Sequence, residues 1–184
     1  VYGRISDQIE NKGGLAKRLF ELAVAIGWKR FLHQQGRGPW PPGNLLWPML
    51  ERLVASKVTS KLGGRIRAAI SGGAALNERI ARVFIGLGVP IVQGYGLTET
   101  APIVSANPLE DNIPNSVGVP IRGVKVRIGD DDELQVHGPG VMLGYWNNEE
   151  ATKEVIDKDG WLHTGDAARV DADGYVFIVD RWKD

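Results

Sequence analysis

Cysteine is absent from this sequence. That one absence excludes disulfide staples, thiolate metal sites and a cysteine nucleophile, while leaving the redox compartment open. Long apolar runs are missing too. No stretch approaches the ~18 residues of a membrane span, and no secretory signal pattern opens the chain. Neither sign of charge is in excess: Lys plus Arg and Asp plus Glu are 22 each, for a formal net charge of zero. A neutral balance argues against a nucleic-acid binder held by a basic surface. Neither a Walker loop nor a G-x-G-x-x-G fingerprint occurs, and Ser71-Gly72 does not complete a G-x-S-x-G nucleophile elbow. His33, His137 and His163 are scattered without metal-ligand spacing. The run Asp130-Asp131-Asp132-Glu133 lacks the spaced ligands and central glycine of a calcium loop and reads as a charged hairpin turn. Methionine occurs only at Met49 and Met142, and the first residue is Val1, so both ends are expected to be cuts within a longer chain.

What is present is enough for one sizeable domain. Apolar residues make up 43% of 184, which supports a core and argues against disorder. Leu15, Leu19, Leu22, Ala23 and Ile26 recur at helical spacing and predict an amphipathic helix with that face in the core. Contact of this helix with a membrane surface is the less favoured alternative, so the expected location is the cytoplasm, with peripheral membrane association left open. A breaker-rich loop, G-R-G-P-W-P-P-G-N, precedes a second expected helix with Leu46, Met49, Leu50, Leu53, Val54 and Val58 on one face. Residues 65–70 read as a short strand. Asn77 suits a helix cap, Ile80, Ala81, Phe84 and Leu87 give the helix its buried side, Gly88 ends it, and residues 89–93 read as a second strand. Strand, helix, strand is a βαβ unit, expected to be right-handed with parallel strands. The glycines at Gly72-Gly73 and at Gly94 and Gly96 then follow two strand ends on the same sheet edge, where open α/β sheets bind ligands.

After Pro108 the texture changes. Short strands are expected at residues 117–128, 133–137, 161–164, 167–170 and 175–180, between turn signals such as Asp159-Gly160 and Asp173-Gly174, with one helix within 147–157. The fold class is therefore α/β: a parallel βαβ portion over residues 1–110, followed over 111–184 by a small β-rich, barrel-like subdomain.

Four stretches carry chemistry. In residues 93–100, Q-G-Y-G-L-T-E-T, Gly94 and Gly96 can take backbone angles closed to other residues and let a ligand near the main chain. Tyr95 offers a flat face, Thr98 a hydroxyl for a phosphate oxygen, and Glu99 a carboxylate for a hard cation. A glycine-rich turn capping a strand explains the local pattern as well. Ser71, Gly72, Gly73 and Ala74 would expose main-chain groups suited to a base edge, or simply form a strand-to-helix turn. Thr164-Gly165-Asp166 lies between two expected strands, where a carboxylate can take ribose hydroxyls or merely close a turn. In the final charged run, D-R-W-K-D, Arg181 can hydrogen-bond a ribose or phosphate through its fork of donors, and a solvated linker is the plain alternative.

With these pieces placed, the sequence closely resembles the adenylate-forming enzymes and, within them, the long-chain fatty acid–CoA ligases. Y-G-L-T-E-T at residues 95–100 matches the family's adenine and magnesium motif. S-G-G-A-A-L at 71–76 matches the S-G-G-A-P-L loop, with Ala75 in place of proline. G-W-L-H-T-G-D at 160–166 matches the ribose motif, D-R-W-K-D at 180–184 the hinge motif D-R-x-K-D, and G-P-G-V-M-L-G-Y-W at 138–146 also fits. The order and spacing are those of the family, and the resemblance covers the whole chain. It implies that this is part of the large N-terminal domain of such an enzyme. Tyr95 would stack on adenine, with Gly72, Gly73, Ala74, Gln93 and Gly94 around the nucleotide. Thr98 would contact the α-phosphate, Glu99 would hold Mg2+, and Asp166 would take the ribose hydroxyls with support from Arg181. Gly96 would line the acyl tunnel, and Lys183 would be the hinge. ATP, a fatty acid and coenzyme A are the implied small-molecule partners. The family's upstream phosphate loop and its C-terminal domain with the catalytic lysine are not in this sequence, so the chain by itself is expected to be incomplete. Aryl–CoA ligases, peptide-synthetase adenylation domains and a non-catalytic nucleotide-binding module are the alternatives.

Overall fold

The computed structural model describes residues 13–74 and 76–181, with Arg181 described by its backbone alone. The chain divides into two compact units. One comprises Val1–Ala69, Leu76–Ile91 and Leu109–Asp111, the other Ile70–Ala75, Val92–Pro108 and Asn112–Asp184.

The first unit is helical. Helix α1 spans Gly14–Gln34. A 3-10 turn at Pro42–Leu46 leads into α2 (Trp47–Leu50), a π-helical stretch (Glu51–Ala55) and α3 (Ser56–Lys61). Helix α4 covers Glu78–Gly86. Asn77 caps α4 as expected: its side-chain oxygen accepts from the N–H groups of Arg79 at 3.0 Å and Ile80 at 3.4 Å, satisfying donors that no helical carbonyl can reach. Gly88, at φ +81, takes the left-handed conformation that ends the helix. Ala81, Phe84 and Leu87 are buried and join Ala23, Ile26, Trp47, Leu50, Ala55 and Val58 in one apolar core. Full burial of a side chain such as Leu50 is worth about 1.5–3 kcal/mol.

Two faces differ from the periodicity reading. On α1, Ala23, Ile26 and Gly27 are buried, whereas Leu15 and Leu22 are 74% and 42% exposed. The reason is a close helix crossing: a Cβ on Gly27 would run into the Gly86 carbonyl, and one on Gly86 would lie 2.6 Å from the Val24 carbonyl oxygen. The two glycines set which stripe of α1 meets α4. In the second helical stretch, Trp47, Leu50, Ala55 and Val58 are buried, while Leu46, Met49 and Leu53 are exposed. The π turn explains the shift. Its i→i+5 bonds insert a residue, so a 3.6-residue count loses phase beyond Leu50.

The second unit is built on strands. One four-stranded sheet has the order β1-β2-β3-β4, with β1 at Ala69–Ser71, β2 at Ile91–Tyr95, β3 at Ser105–Ala106 and β4 at Val119–Pro120. Their adjacency in the sheet, with α4 between β1 and β2 in the chain, is the strand–helix–strand unit read from the sequence. Strand β3 pairs antiparallel to β2, Gly94 opposite Ala106 and Tyr95 opposite Ser105, and antiparallel to β4. The second sheet is antiparallel throughout, in the order β5-β6-β7-β8: Lys125–Ile128, Glu133–His137, Leu162–Val170 and Val176–Arg181. The acidic run forms the hairpin turn between β5 and β6, with Asp131 and Asp132 at φ 54 and 60. Helix α5 (Glu149–Val155) precedes β7. Val104, Leu134, Val136, Ala168 and Val176 form the apolar core of this unit.

Three strand boundaries move. Strand β1 is confined to three residues. Strand β2 runs through Tyr95, so Gly94 and Tyr95 are strand residues and not part of a loop. Residues 162–170 are one continuous strand, so Thr164-Gly165-Asp166 lies inside β7 and not between two strands. The pairing of β7 shifts register on both sides of this triplet, and Gly165 sits at φ +72, which accommodates the bulge.

Candidate active site

The expected site residues all fall in the β-rich unit, apart from Lys183, which lies outside the described residues. Residues 72–74 form an exposed turn at the end of β1, with Gly73 at φ +80. A Cβ on Gly72 would lie 3.6 Å from the Gly94 carbonyl oxygen, so the end of β1 lies close beside β2. Gly94 and Gly96 do not use left-handed angles. Their role is close approach: a Cβ on Gly94 would lie 3.2 Å from the Ser105 carbonyl oxygen, and one on Gly96 would overlap the Pro102 carbonyl. These two glycines admit the protein's own β3 segment, which corrects the expectation drawn from their conformational freedom.

Thr98, Glu99 and Thr100 make a 3-10 turn beyond β2. The buried Thr100 hydroxyl accepts from the Leu97 N–H at 3.0 Å, and Ala101 closes the turn in the left-handed conformation. Thr98 is exposed and Glu99 half-buried. One Glu99 oxygen accepts the hydroxyl of Tyr145 at 2.9 Å. That hydrogen bond to the carboxylate, followed by burial and the nearby negative charge, holds the Tyr145 phenol above its usual pKa.

Asp166 is buried, at 2% exposure. Its carboxylate accepts a short hydrogen bond from the hydroxyl of Tyr95, and its N–H donates to the Thr164 hydroxyl at 3.2 Å. Register places Arg181 on β8 directly opposite Asp166 on β7. Thr164 donates to the Leu134 carbonyl at 2.7 Å, and the Gly165 N–H donates to Glu133 at 2.9 Å. The other Glu133 oxygen contacts His163 Nδ1 at 2.7 Å. The bulge that carries Asp166 is thus held on both sides by β6.

Gln93 differs from its expected place around the base. It is buried, and its amide donates to the Pro114 carbonyl at 2.6 Å and toward the Ser116 carbonyl at 3.4 Å. Its carbonyl accepts the Asn107 N–H at 2.8 Å. Asn107 in turn donates to the Ser116 carbonyl at 2.9 Å and accepts from the Ile113 N–H and the Ser116 hydroxyl. Gln93 is therefore part of the scaffold under β2, its amide donors spent inside the protein.

Residues 44–146 match the family described as AMP-binding enzyme. The chain belongs to the AMP-binding enzyme family. Over 189 residues it is 40% identical to the long-chain-fatty-acid–CoA ligase FadD15 of Mycobacterium bovis, an alignment covering all of this chain and 30% of that protein. It is 33% identical over 198 residues to the peroxisomal long chain acyl-CoA synthetase 6 of Arabidopsis thaliana, covering all of this chain and 27% of the relative. The crystal structure of ATP-bound MatB from Rhodopseudomonas palustris is similar to 74% of this chain and covers 30% of its own length, with a TM-score of 0.64 and 32% identity. The chain thus spans about 30% of the length of the first of these relatives.

The structure brings together the tyrosine and aspartate read from the motifs, Tyr95 and Asp166, pairs Glu99 with Tyr145, and adds residues that no motif singled out. Tyr145 was noted only as part of a matching segment, and Glu133 only as the end of a charged turn and the start of a strand. Asn107 carried no signal, because nothing in its neighbours marks a buried amide. Whether magnesium fits can be tested against the donor set. Among the described residues no group of three or more His, Asp or Glu converges on a metal position. Mg2+ is usually held by one or two carboxylates with substrate phosphates and water supplying the rest. Glu99 is a carboxylate of the required kind. No helix among the described residues is long and apolar enough to cross a membrane.

Proposed function

We propose that the complete protein is an ATP-dependent long-chain fatty acid–CoA ligase, and that this chain supplies its adenine, ribose and cation wall. In the reaction, an oxygen of the fatty acid carboxylate attacks the α-phosphorus of ATP. The bond to pyrophosphate breaks, and acyl-adenylate forms. The sulfur of coenzyme A, having given up its proton, then attacks the acyl carbon, and AMP leaves. Neither step needs a protein nucleophile. Both need charge neutralised on phosphate, which fixed donors and a cation provide.

The observation that carries the proposal is the hydrogen bond from Tyr95 to Asp166, 71 positions apart in sequence. It joins the residue expected at adenine to the residue expected at ribose. In this reading Asp166 is the carboxylate that takes the ribose hydroxyls beside Tyr95, and Arg181 lies opposite it across the strand pair. Gly72, Gly73, Ala74 and Gly94 border the nucleotide, Thr98 meets the α-phosphate, Gly96 lines the acyl path, and Lys183 is the hinge. Mg2+ held by Glu99 would supply positive charge to the phosphates. In this reading the portion over residues 1–110 bears the adenine-side loops, and 111–184 the ribose side and hinge.

Fatty-acid-dependent pyrophosphate exchange in the complete protein tests the assignment. Glu99→Ala abolishes exchange, and Asp166→Ala raises the ATP needed for half-maximal rate. Wild-type exchange in either variant overturns that residue's role. Exchange driven by aryl acids and not by long-chain fatty acids overturns the substrate class. The isolated 184-residue chain does not complete acyl-CoA synthesis, and turnover by it alone overturns that limit.

A further inference from the structure

Tyr145 reaches Glu99 from 46 positions away in the sequence, its hydroxyl donating to Oε1 at 2.9 Å. Several contacts build this approach. The Met142 N–H donates to the Glu99 carbonyl at 2.8 Å. Gly140 lets the same segment close on the turn, since a Cβ there would lie 2.6 Å from the Thr100 carbonyl oxygen. Beyond it, the Tyr145 N–H donates to the Thr152 hydroxyl at 2.9 Å, and that hydroxyl donates to the Asn148 carbonyl at 2.7 Å. Asn148 caps α5, its side chain accepting from the Ala151 N–H at 3.1 Å. The backbone of Tyr145 is therefore fixed to the start of a helix while its hydroxyl is delivered to the carboxylate. Residues 140–145 lie along the Glu99 turn at three points, two of them main chain.

Glutamate on a short, half-exposed turn has several rotamers to choose among. A phenol has one hydrogen to give, and a carboxylate has about four lone-pair positions to receive it. One bond from Tyr145 thus restricts the rotamer of Glu99 and leaves acceptor sites for a cation. Hydrogen-bond partners of metal-ligating carboxylates act in this way, and their loss typically weakens metal affinity 10- to 100-fold.

We propose that Tyr145 is a positioning residue that holds the Glu99 carboxylate in place for a divalent cation. This rests on the reading of Glu99 as the cation ligand, and the experiment separates the two. Mn2+ binding to the complete protein is measured by electron paramagnetic resonance in the presence of a non-hydrolysable ATP analogue. Four proteins are compared: wild type, Tyr145→Phe, Glu99→Gln and the double variant. Tyr145→Phe weakens Mn2+ about tenfold and Glu99→Gln weakens it further, while the double variant binds no more weakly than Glu99→Gln alone. Metal-free analogue binding is unchanged in Tyr145→Phe, which a general loss of structure would not allow. Wild-type Mn2+ affinity in Tyr145→Phe, with Glu99→Gln impaired, overturns the proposal and leaves the Glu99 reading standing. Multiplying losses in the double variant also overturn it, because Tyr145 then acts independently of Glu99. Wild-type affinity in Glu99→Gln overturns the reading of Glu99 and the proposal with it. If Tyr145→Phe does not fold, Thr152→Val takes its place, loosening the backbone anchor while keeping the phenol. A loss of Mn2+ affinity, smaller than tenfold, is then expected, and wild-type affinity overturns the proposal.

Discussion

The helical unit and the β-rich unit bury different things. In the helical unit the interior is aliphatic and aromatic, from Ala23 and Leu50 to Phe84 and Leu87. The buried polar side chains found among the described residues, Gln93, Thr100, Ser105, Asn107, Asn112, Ser116, Gln135 and Asp166, belong without exception to the β-rich unit. That unit also carries every candidate site residue among the described residues. A packed apolar interior fixes a shape by volume. A strand end, a bulge or a short turn that must present one carboxylate has too little apolar surface for that, and its direction is set by hydrogen bonds instead. Each such bond adds only about 1 kcal/mol net, yet a buried partner left without it costs about 1–3 kcal/mol. The site-bearing unit is therefore specified by polar groups that cannot be removed singly.

The contrast breaks most severely at the helix crossing. Gly27→Leu drives a side chain into the Gly86 carbonyl and the Trp47 ring, with no flexible neighbour to yield on the backbone side. Overpacking of this kind costs about 3 kcal/mol or more. The urea midpoint of the helical unit is expected to collapse, or the protein to be insoluble, and a midpoint equal to wild type would mean that the crossing is loose.

A polar counterpart tests the other unit. Asn107→Ala leaves the Ile113 N–H without its acceptor and takes one partner each from the Ser116 hydroxyl, which keeps the Ile113 carbonyl, and the Ser116 carbonyl, which keeps the Gln93 amide. A loss of about 1–3 kcal/mol follows from the one donor left unsatisfied, beyond what an exposed asparagine would give. Since Gln93 meets Ser116 in the same network, Gln93→Ala and Asn107→Ala should combine to less than the sum of their separate losses. Strict additivity in denaturation would show that the network is not one unit.

The same division governs what could be read from residues alone. Helix α4 was legible in full, because a cap, a buried stripe and a terminal glycine agree at Asn77, Phe84 and Gly88. The strand-forming runs read at 133–137 and 175–180 were legible from turn signals, the second lying one residue out of step with β8. The faces of α1 and of the stretch after Trp47 were not, because a glycine crossing and a π turn are decided by packing and leave no periodic mark. At the site, the motifs located Tyr95, Glu99 and Asp166. Their partners remained hidden: the bond from Tyr95 to Asp166 spans 71 positions and that from Tyr145 to Glu99 spans 46. Local pattern names the side chain that acts, and tertiary structure names the one that holds it.

The smallest expected effect concerns pH, and it separates the units by whether the effect titrates. Asp157 accepts the N–H groups of Trp161 at 2.8 Å and Asp159 at 2.9 Å, and pairs with Arg127 at 3.1 Å. Arg127 also donates to Gln135 at 2.6 Å and lies 4.2 Å from the centre of the Trp161 ring. The Trp161 N–H, the Asp159 N–H and the Arg127 charge together hold the Asp157 carboxyl below its usual range. A carboxyl depressed on folding adds stability that is fully present above the unfolded value, about 4, and is lost as pH falls through the lower folded value. Asp157→Asn removes that titration. The gap in melting temperature between wild type and Asp157→Asn should be widest near neutrality and should close as pH drops below about 4. The helical unit supplies the control. Asn77→Ala removes a cap worth about 1 kcal/mol, and because an amide does not titrate, its gap should stay constant over the same range. Melts at pH 7, 5, 4 and 3 give both curves, and an Asp157→Asn gap that held constant in acid would place the origin of its stability in packing, as in the helical unit, and not in charge.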